Sequence, residues 1–196
     1  MCIRDRFNRG NYYKQYRYGW YRICSKILGY SECNLIQVPI YMQFKLVLND
    51  TFDKYNCGEF DKKENDTISV SKSNFSHETD EVNVMISDTY PLSLSQLPEI
   101  KKNIPTLLIS RNNTNDVNRY DSPELVRCVV NEVRSLNNNI KKVNVYATTN
   151  PLNTKNIASS AFKLGGRDNF NEVRVFQQER DGIRKFNNKG IVVYKR

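Results

Sequence analysis

From Glu81 onward, apolar runs of strand length alternate with segments of helical period, and this alternation limits the possible folds more than any other feature. Val82–Ser87 and Pro105–Ser110 are short apolar runs bounded by polar turns, the pattern of buried strands. Between them, Ser93–Lys102 reads as a short helix or turn. Ser122-Pro123-Glu124 is a helix start. Ser caps the end, Pro sits where its missing N–H costs nothing, and Glu faces the positive end of the helix. Leu125, Val126, Val129, Val130, Val133 and Leu136 then form one apolar stripe, which Asn137-Asn138-Asn139 ends. Lys142–Ala147 is a strand and Thr154–Leu164 a helix closed by Gly165-Gly166. Glu172–Gln177 is a strand, and Gly190–Tyr194 could be one more. Strands alternating with helices imply right-handed crossovers. The expected class is α/β, a mostly parallel Rossmann-like sheet with flanking helices, cut from a larger protein.

Residues 7–80 are expected to belong to the same domain, and 81–192 to form its Rossmann-like unit. Phe7–Tyr30 is basic and aromatic. In its second half Trp20, Ile23, Cys24, Ile27 and Leu28 fall at i, i+3, i+4, i+7 and i+8, with Gly29 as a stop. That spacing predicts an amphipathic helix packed on the core through the Trp20–Leu28 stripe. Basic residues interleaved with aromatics can alternatively stack bases and hold phosphates. Ile40, Met42, Phe44, Leu46 and Leu48 alternate with Tyr41, Gln43, Lys45 and Val47 after Pro39, which predicts a strand. Asn49–Glu81 is rich in Asp, Lys, Asn and Ser and reads as a solvated connection with one strand-like piece, Thr67–Val70. His77, the lone histidine, lies within it and is read as incidental.

The chain of 196 residues suits one domain, or one and a fraction. Hydrophobic content is 39%, low for a globular chain, and AT-rich codons account for part of the excess of Asn, Lys, Tyr and Ile. No apolar run approaches the length that spans a bilayer, so no membrane partner is expected. Cys24, Cys33, Cys57 and Cys128 form no CxxC pair, which argues against zinc and for reduced, buried thiols in a cytoplasmic protein; two disulfides are the alternative. No metal or cofactor is expected.

The ends carry a separate signal. Met1-Cys2-Ile3-Arg4-Asp5-Arg6 resembles a translation of the transposon mosaic end used in sequencing libraries, ATG TGT ATA AGA GAC AGR. Val193-Tyr194-Lys195-Arg196 resembles the same strand in another frame. Residues 1–6 and 193–196 are therefore expected to be foreign; the alternative is an ordinary basic N-terminus. Of the net charge of +9, Arg4, Asp5, Arg6, Lys195 and Arg196 supply +3, leaving +6. A moderate positive charge favours anionic partners without fixing a site.

In open α/β sheets ligands bind beyond the carboxyl ends of the strands. Three such ends are polar: Ser87-Asp88-Thr89-Tyr90-Pro91, Ser110-Arg111-Asn112-Asn113 and Ala147-Thr148-Thr149-Asn150-Pro151. The third leads into a helix with Asn153 or Thr154 as its expected cap, whose free N–H groups could hold a phosphate. Ser87, Thr89, Thr148, Thr149 and Asn150 could complete a phosphate or base pocket, Tyr90 could stack on a base, and Arg111 could pair with an anion. The same residue types also serve ordinary turns and caps. No P-loop, GxGxxG, GxSxG or His-paired nucleophile is present, and Asp88 has no second carboxylate placed beside it by sequence. Gly165-Gly166 reads as a helix stop and Arg180-Asp181-Gly182 as a turn. No catalytic residues are assigned, and the fragment is read as more consistent with binding than with catalysis.

The order "EVNVMISDTYPL", "PTLLIS", "DSPELVRCVVNEVRSL", "IKKVNVYATTNPL" and "EVRVFQ" resembles the SAVED domain over about 81–177. That family consists of two fused CARF-like Rossmannoid units. The resemblance rests on element order and loop positions. Pro151 fits the family's third loop, whereas Ala158-Ser159-Ser160-Ala161 matches only loosely. It implies a non-catalytic sensor of a cyclic oligonucleotide second messenger in bacterial anti-phage defence, with a fused effector outside the fragment. The alternatives are a nucleic-acid-binding module using the Tyr/Arg segment, and a truncated nucleotide or sugar-phosphate enzyme.

Overall fold

The computed structural model describes residues 16–76, 79–112, 119–163, 170–179 and 184–196. The expectations for Met1–Arg6, His77, Gly165-Gly166 and Arg180-Asp181-Gly182 lie outside these residues, as do Arg9, Tyr12, Tyr13 and Lys14 of the basic segment.

The elements, in chain order, are α1 (Tyr18–Lys26), β1 (Glu32–Asn34), α2 (Ile40–Leu48), β2 (Lys54–Asn56), β3 (Ile68–Ser73), β4 (Glu81–Ser87), β5 (Thr106–Arg111), α3 (Pro123–Arg134), β6 (Lys142–Ala147), α4 (Pro151–Ile157), β7 (Glu172–Phe176) and β8 (Ile191–Lys195). Two 3-10 turns, Leu94–Gln96 and Glu99–Lys101, lie between β4 and β5, and α4 runs on into a π-turn, Ala158–Phe162. The main sheet has the order β3-β5-β4-β6-β7-β8. Its four central strands are parallel, and β3 and β8 add antiparallel edges. A small parallel pair, β1 with β2, brackets α2.

The central strands form because alternate residues bury large apolar groups on one face. Val82, Val84, Ile86, Leu107, Ile109, Val143, Val145, Val173 and Val175 join α2, α3 and α4 in the main core. Each such side chain contributes about 1.5–3 kcal/mol relative to exposure. Phe44 of α2 and Phe162 of the π-turn meet edge to face at 6.0 Å. The opposite face holds a smaller cluster in which Met85, Tyr146 and Phe176 are covered by Leu92 and Leu97, from the β4–β5 connection, and by Phe186. That division follows from crossover handedness. The chain moves one way from β4 to β5 and the other way from β5 to β6 to β7, so right-handed connections must lie on opposite faces.

Three expectations need correction. Ile40–Leu48 is a helix and not a strand: Met42, Gln43, Phe44, Leu46, Val47 and Leu48 are all buried, so no polar face remains to mark the helical period. Asn49–Glu81 is more than a solvated connection, since it carries β2 and β3 and buries Thr51, Phe52, Cys57 and Asp66. Of the Trp20–Leu28 stripe, Cys24 alone packs on the core. Tyr21 and Cys24 are the buried residues of α1, while Trp20, Ile23, Ile27 and Leu28 are exposed. At the other end, Val193–Lys195 complete β8, with Val193 buried.

Candidate ligand-binding cleft

Because β5 and β6 lie on either side of β4, the chain reverses direction beyond β4, and the carboxyl ends of β4 and β6 flank a topological switch point. The loops leaving these two strands lie side by side and are laced together. Thr148 N donates to Ile86 O (3.0 Å), Thr89 N to Thr148 O (3.1 Å) and Asp88 N to Thr148 Oγ1 (3.2 Å). Ser87 Oγ donates to Tyr90 O (3.0 Å) and accepts from Leu92 N (3.1 Å), while Thr148 Oγ1 donates to Tyr90 O (2.8 Å). Ser87 and Thr148 thus fix the backbone turn that presents Tyr90.

A cleft of about 410 Å³ opens at this edge. Thr89, Tyr90, Thr148, Thr149 and Asn150 line it, together with Ile36, Pro39, Ile40 and Gln43 from the α2 side and Phe176–Glu179 beyond β7. Tyr90 is 38% exposed, and the Arg184 guanidinium lies 4.5 Å from its ring centroid. Arg119 and Arg184 border the cleft against one carboxylate, Glu179. Three amide atoms on lining residues are buried without a hydrogen-bond partner: Gln43 Oε1, Gln177 Oε1 and Gln178 Nε2. Gln43 is held from its other end, where Nε2 donates to Leu35 O (3.0 Å) and Val38 O (2.7 Å). Buried orphan amides are uncommon in folded proteins and call for a partner.

Arg111 is brought close to this site but not into it. It is 2% exposed and lies between two carboxylates, with Nε 2.6 Å from Asp66 Oδ2 and a guanidinium N–H donating to Asp88 Oδ1 at 2.7 Å. Asp88 in turn occupies the start of α4. Its Oδ2 accepts from Asn150 N (3.2 Å) and Asn153 Nδ2 (2.9 Å). The anion expected at this helix end, with Arg111 beside it, is therefore an internal carboxylate. Ser122 Oγ donates to Asp66 Oδ2 (2.7 Å) and accepts from Leu125 N (3.3 Å), so the α3 cap joins the same network. The cap of α4 is Asn150, whose side chain accepts from Asn153 N (2.9 Å); neither Asn153 nor Thr154 serves. Asn150-Pro151 repeats the Ser122-Pro123 signal, which the sequence offers to be read in the same way. Thr149 Oγ1 shares a 2.6 Å hydrogen bond with Thr154 Oγ1.

Ser87, Thr89, Tyr90, Thr148, Thr149 and Asn150 therefore converge, and all of these except Ser87 line the cleft. Gln43 is missed because it lies on a misassigned helix, Arg119 and Arg184 because they lie on distant loops, and Phe176 and Gln177 because the end of β7 is not counted among the polar strand ends. Asp88, buried and ion-paired, is not placed to act as a base. Burial pushes the Cys57 and Cys128 thiols up, away from the reactive thiolate. Among the described residues, no group of three or more His, Cys, Asp and Glu side chains is arranged to hold a metal ion.

No curated protein sequence matches the chain. Solved structures share its fold. The Acinetobacter baumannii Cap4 SAVED/CARF-domain containing receptor with the cyclic trinucleotide 3'3'3'-cAAA aligns with a TM-score of 0.57 at 12% identity, covering 80% of this chain and 37% of that one. The same receptor with 2'3'3'-cAAA gives 0.57 at 10% identity, covering 83% and 38%. The chain thus spans little more than a third of these receptors, and the SAVED-like, Rossmann-like fold expected from the sequence is the fold observed. None of the described helices is long and apolar enough to cross a membrane. The sequence also matches a family over residues 4–193, nearly its whole length. The chain belongs to the SMODS- and Ubiquitin system-associated 2TM effector domain family.

Proposed function

We propose that this domain is a non-catalytic sensor that binds a cyclic oligonucleotide in the cleft at the carboxyl edge of β4 and β6. The observation that carries this reading is the composition of the cleft. An exposed Tyr90 ring lies beside Arg184 in a cleft lined also by Arg119, by Thr89, Thr148 and Thr149, and by glutamines with buried amide atoms that lack partners. Aromatic faces stack on bases and arginines pair with phosphates. The volume lies within the roughly 300–1,000 Å³ of small-molecule sites. Receptors of the same fold have been solved with cyclic trinucleotides, which supports that ligand class. In this reading an effector outside these residues responds to binding in bacterial anti-phage defence, in the cytoplasm, where the thiols of Cys24, Cys33, Cys57 and Cys128, which form no disulfide, stay reduced.

The nucleic-acid alternative is weaker than its sequence signal. Tyr21 is buried, Tyr16 and Tyr18 are partly buried against the core, and Tyr18 stacks under Lys45 (5.0 Å). These rings are used in packing and are not offered to bases.

Isothermal titration calorimetry against a panel of cyclic di- and trinucleotides tests the proposal. At least one member should bind. Tyr90→Ala and Arg184→Gln should each weaken it about tenfold, a change of about 1.4 kcal/mol, with the melting temperature unchanged. Failure of every member, with salt-dependent binding of single-stranded RNA lost on replacing Arg17 and Arg22, would establish the alternative instead.

A further inference from the structure

Asn153 is fully buried and is not one of the residues that line the cleft, yet three segments that build the cleft meet at its side chain. Its Nδ2 donates to Asp88 Oδ2 (2.9 Å), beyond β4, and to Tyr120 O (3.0 Å), before α3. Its Oδ1 accepts from Ser122 N (3.2 Å), at the α3 cap. Both amide hydrogens and the carbonyl oxygen are thereby engaged. This differs from an ordinary helix start. Asn153 is the third residue of α4 after the Asn150 cap, a position from which a Glu or Gln side chain often reaches back to the cap's own N–H. Here Asp88 Oδ2 takes that N–H (3.2 Å), and the Asn153 side chain reaches across to the residues entering α3.

Those residues are tied down from several sides. Asn150 Nδ2 donates to Tyr120 O (2.7 Å), Asp121 N to Asp61 O (2.9 Å) and Lys63 N to Asp121 O (3.0 Å). Lys63 Nζ lies 4.9 Å from the Tyr120 ring centroid. Arg119, one residue before this anchored stretch, is exposed and lines the cleft. We propose that Asn153 is a positioning residue of the cleft: by holding Tyr120 and Ser122 against the start of α4, it fixes where Arg119 stands relative to Thr149 and Asn150. Ordering a loop on binding costs affinity, and a backbone fixed beforehand avoids that cost. The consequence for affinity rests on the nucleotide-binding reading above; the positioning itself does not.

Asn153→Ala keeps the α4 cap, which uses the backbone N–H of that residue, and removes only the cross-loop bonds. Asn153→Ser, whose short hydroxyl cannot span all three partners, is the second variant should alanine not fold. Backbone 15N relaxation of the full chain without ligand reads the positioning. In the native chain Arg119–Ser122 should be as rigid as α3, and in the variant they should loosen while α3 and α4 stay ordered. Titration calorimetry with the panel of cyclic di- and trinucleotides reads the consequence. Asn153→Ala and Arg119→Gln should each weaken the member that binds about tenfold, and the double variant should bind no more weakly than either, because both changes remove one contact. Mobile Arg119–Ser122 in the native chain, unchanged order parameters in the variant, or losses of affinity that add would each overturn the inference. Failure of every panel member with the native chain sinks the nucleotide reading, and the relaxation data then decide the positioning alone.

Discussion

Replacing Arg111 by Met tests the buried network that holds both site loops. Met preserves most of the apolar stem but removes the guanidinium between Asp66 and Asp88, both fully buried. Breaking a buried pair costs about 3–5 kcal/mol, because the surviving charge is left uncompensated. Here two carboxylates lose their common partner. Ser122 Oγ still serves Asp66, and Asn150 N with Asn153 Nδ2 still serve Asp88, so the loss should stay near that range. For a domain of this size a urea slope of about 2 kcal/mol per molar converts it to a midpoint lowered by about 1.5–2.5 M. Adding Asp66→Asn and Asp88→Asn removes the stranded charges and should restore at least half of the loss. A decrease below about 1 kcal/mol, the scale of an exposed pair, would refute the claim that this triad clamps the switch point.

Other substitutions probe separate features. Asn150→Ala removes the α4 cap and the bond from Nδ2 to Tyr120 O (2.7 Å), so it should cost about 1–2 kcal/mol in urea unfolding; full retention of stability would place the cap elsewhere. Gly190→Ala would put a methyl 2.5 Å from the Phe176 ring, which stacks on Tyr146 at 4.5 Å, and should destabilise by about 1–3 kcal/mol; a neutral result would show that the ring can move. Burial pushes the Tyr55 phenol up to about 12, so the folded chain keeps a proton that the unfolded chain releases near its ordinary value of 10.0. The stability this contributes is complete below pH 10 and is lost as the pH rises through about 12, and the advantage of the native protein over Tyr55→Phe should shrink across that window. An advantage that stays constant or grows there would refute the assignment.

The central sheet was legible because its strands obey a simple rule, apolar runs bounded by polar turns. Glu81–Ser87, Thr106–Arg111 and Lys142–Ala147 lie within a residue of the strands read from the sequence, and α3 starts at Pro123 as its Ser122-Pro123 signal predicts but ends two residues earlier, at Arg134. Where a segment is buried nearly all round, the rule fails. In α2 the alternating Ile40, Met42, Phe44, Leu46 and Leu48 fit a strand, yet Gln43 and Val47 between them are buried too. Periodicity also cannot say which apolar face of α1 finds a partner. The two loops of the candidate cleft follow from parallel strand topology, so their adjacency could be read in advance. Arg111 could not be assigned correctly, because its partner Asp66 sits in a polar stretch where one acid resembles the next. Gln43, Arg119 and Arg184 reach the cleft only through folding of distant segments.

On the proposed function, the cleft between the β4 and β6 loops binds a cyclic oligonucleotide. Amide chemical-shift mapping of the labelled protein during titration with a cyclic trinucleotide tests it most directly. Saturable shifts are expected, concentrated at Thr89, Tyr90 and Thr148–Asn150, with matching changes at Gln43 and Gln177. Shifts confined to α1, or none at millimolar ligand, would contradict it.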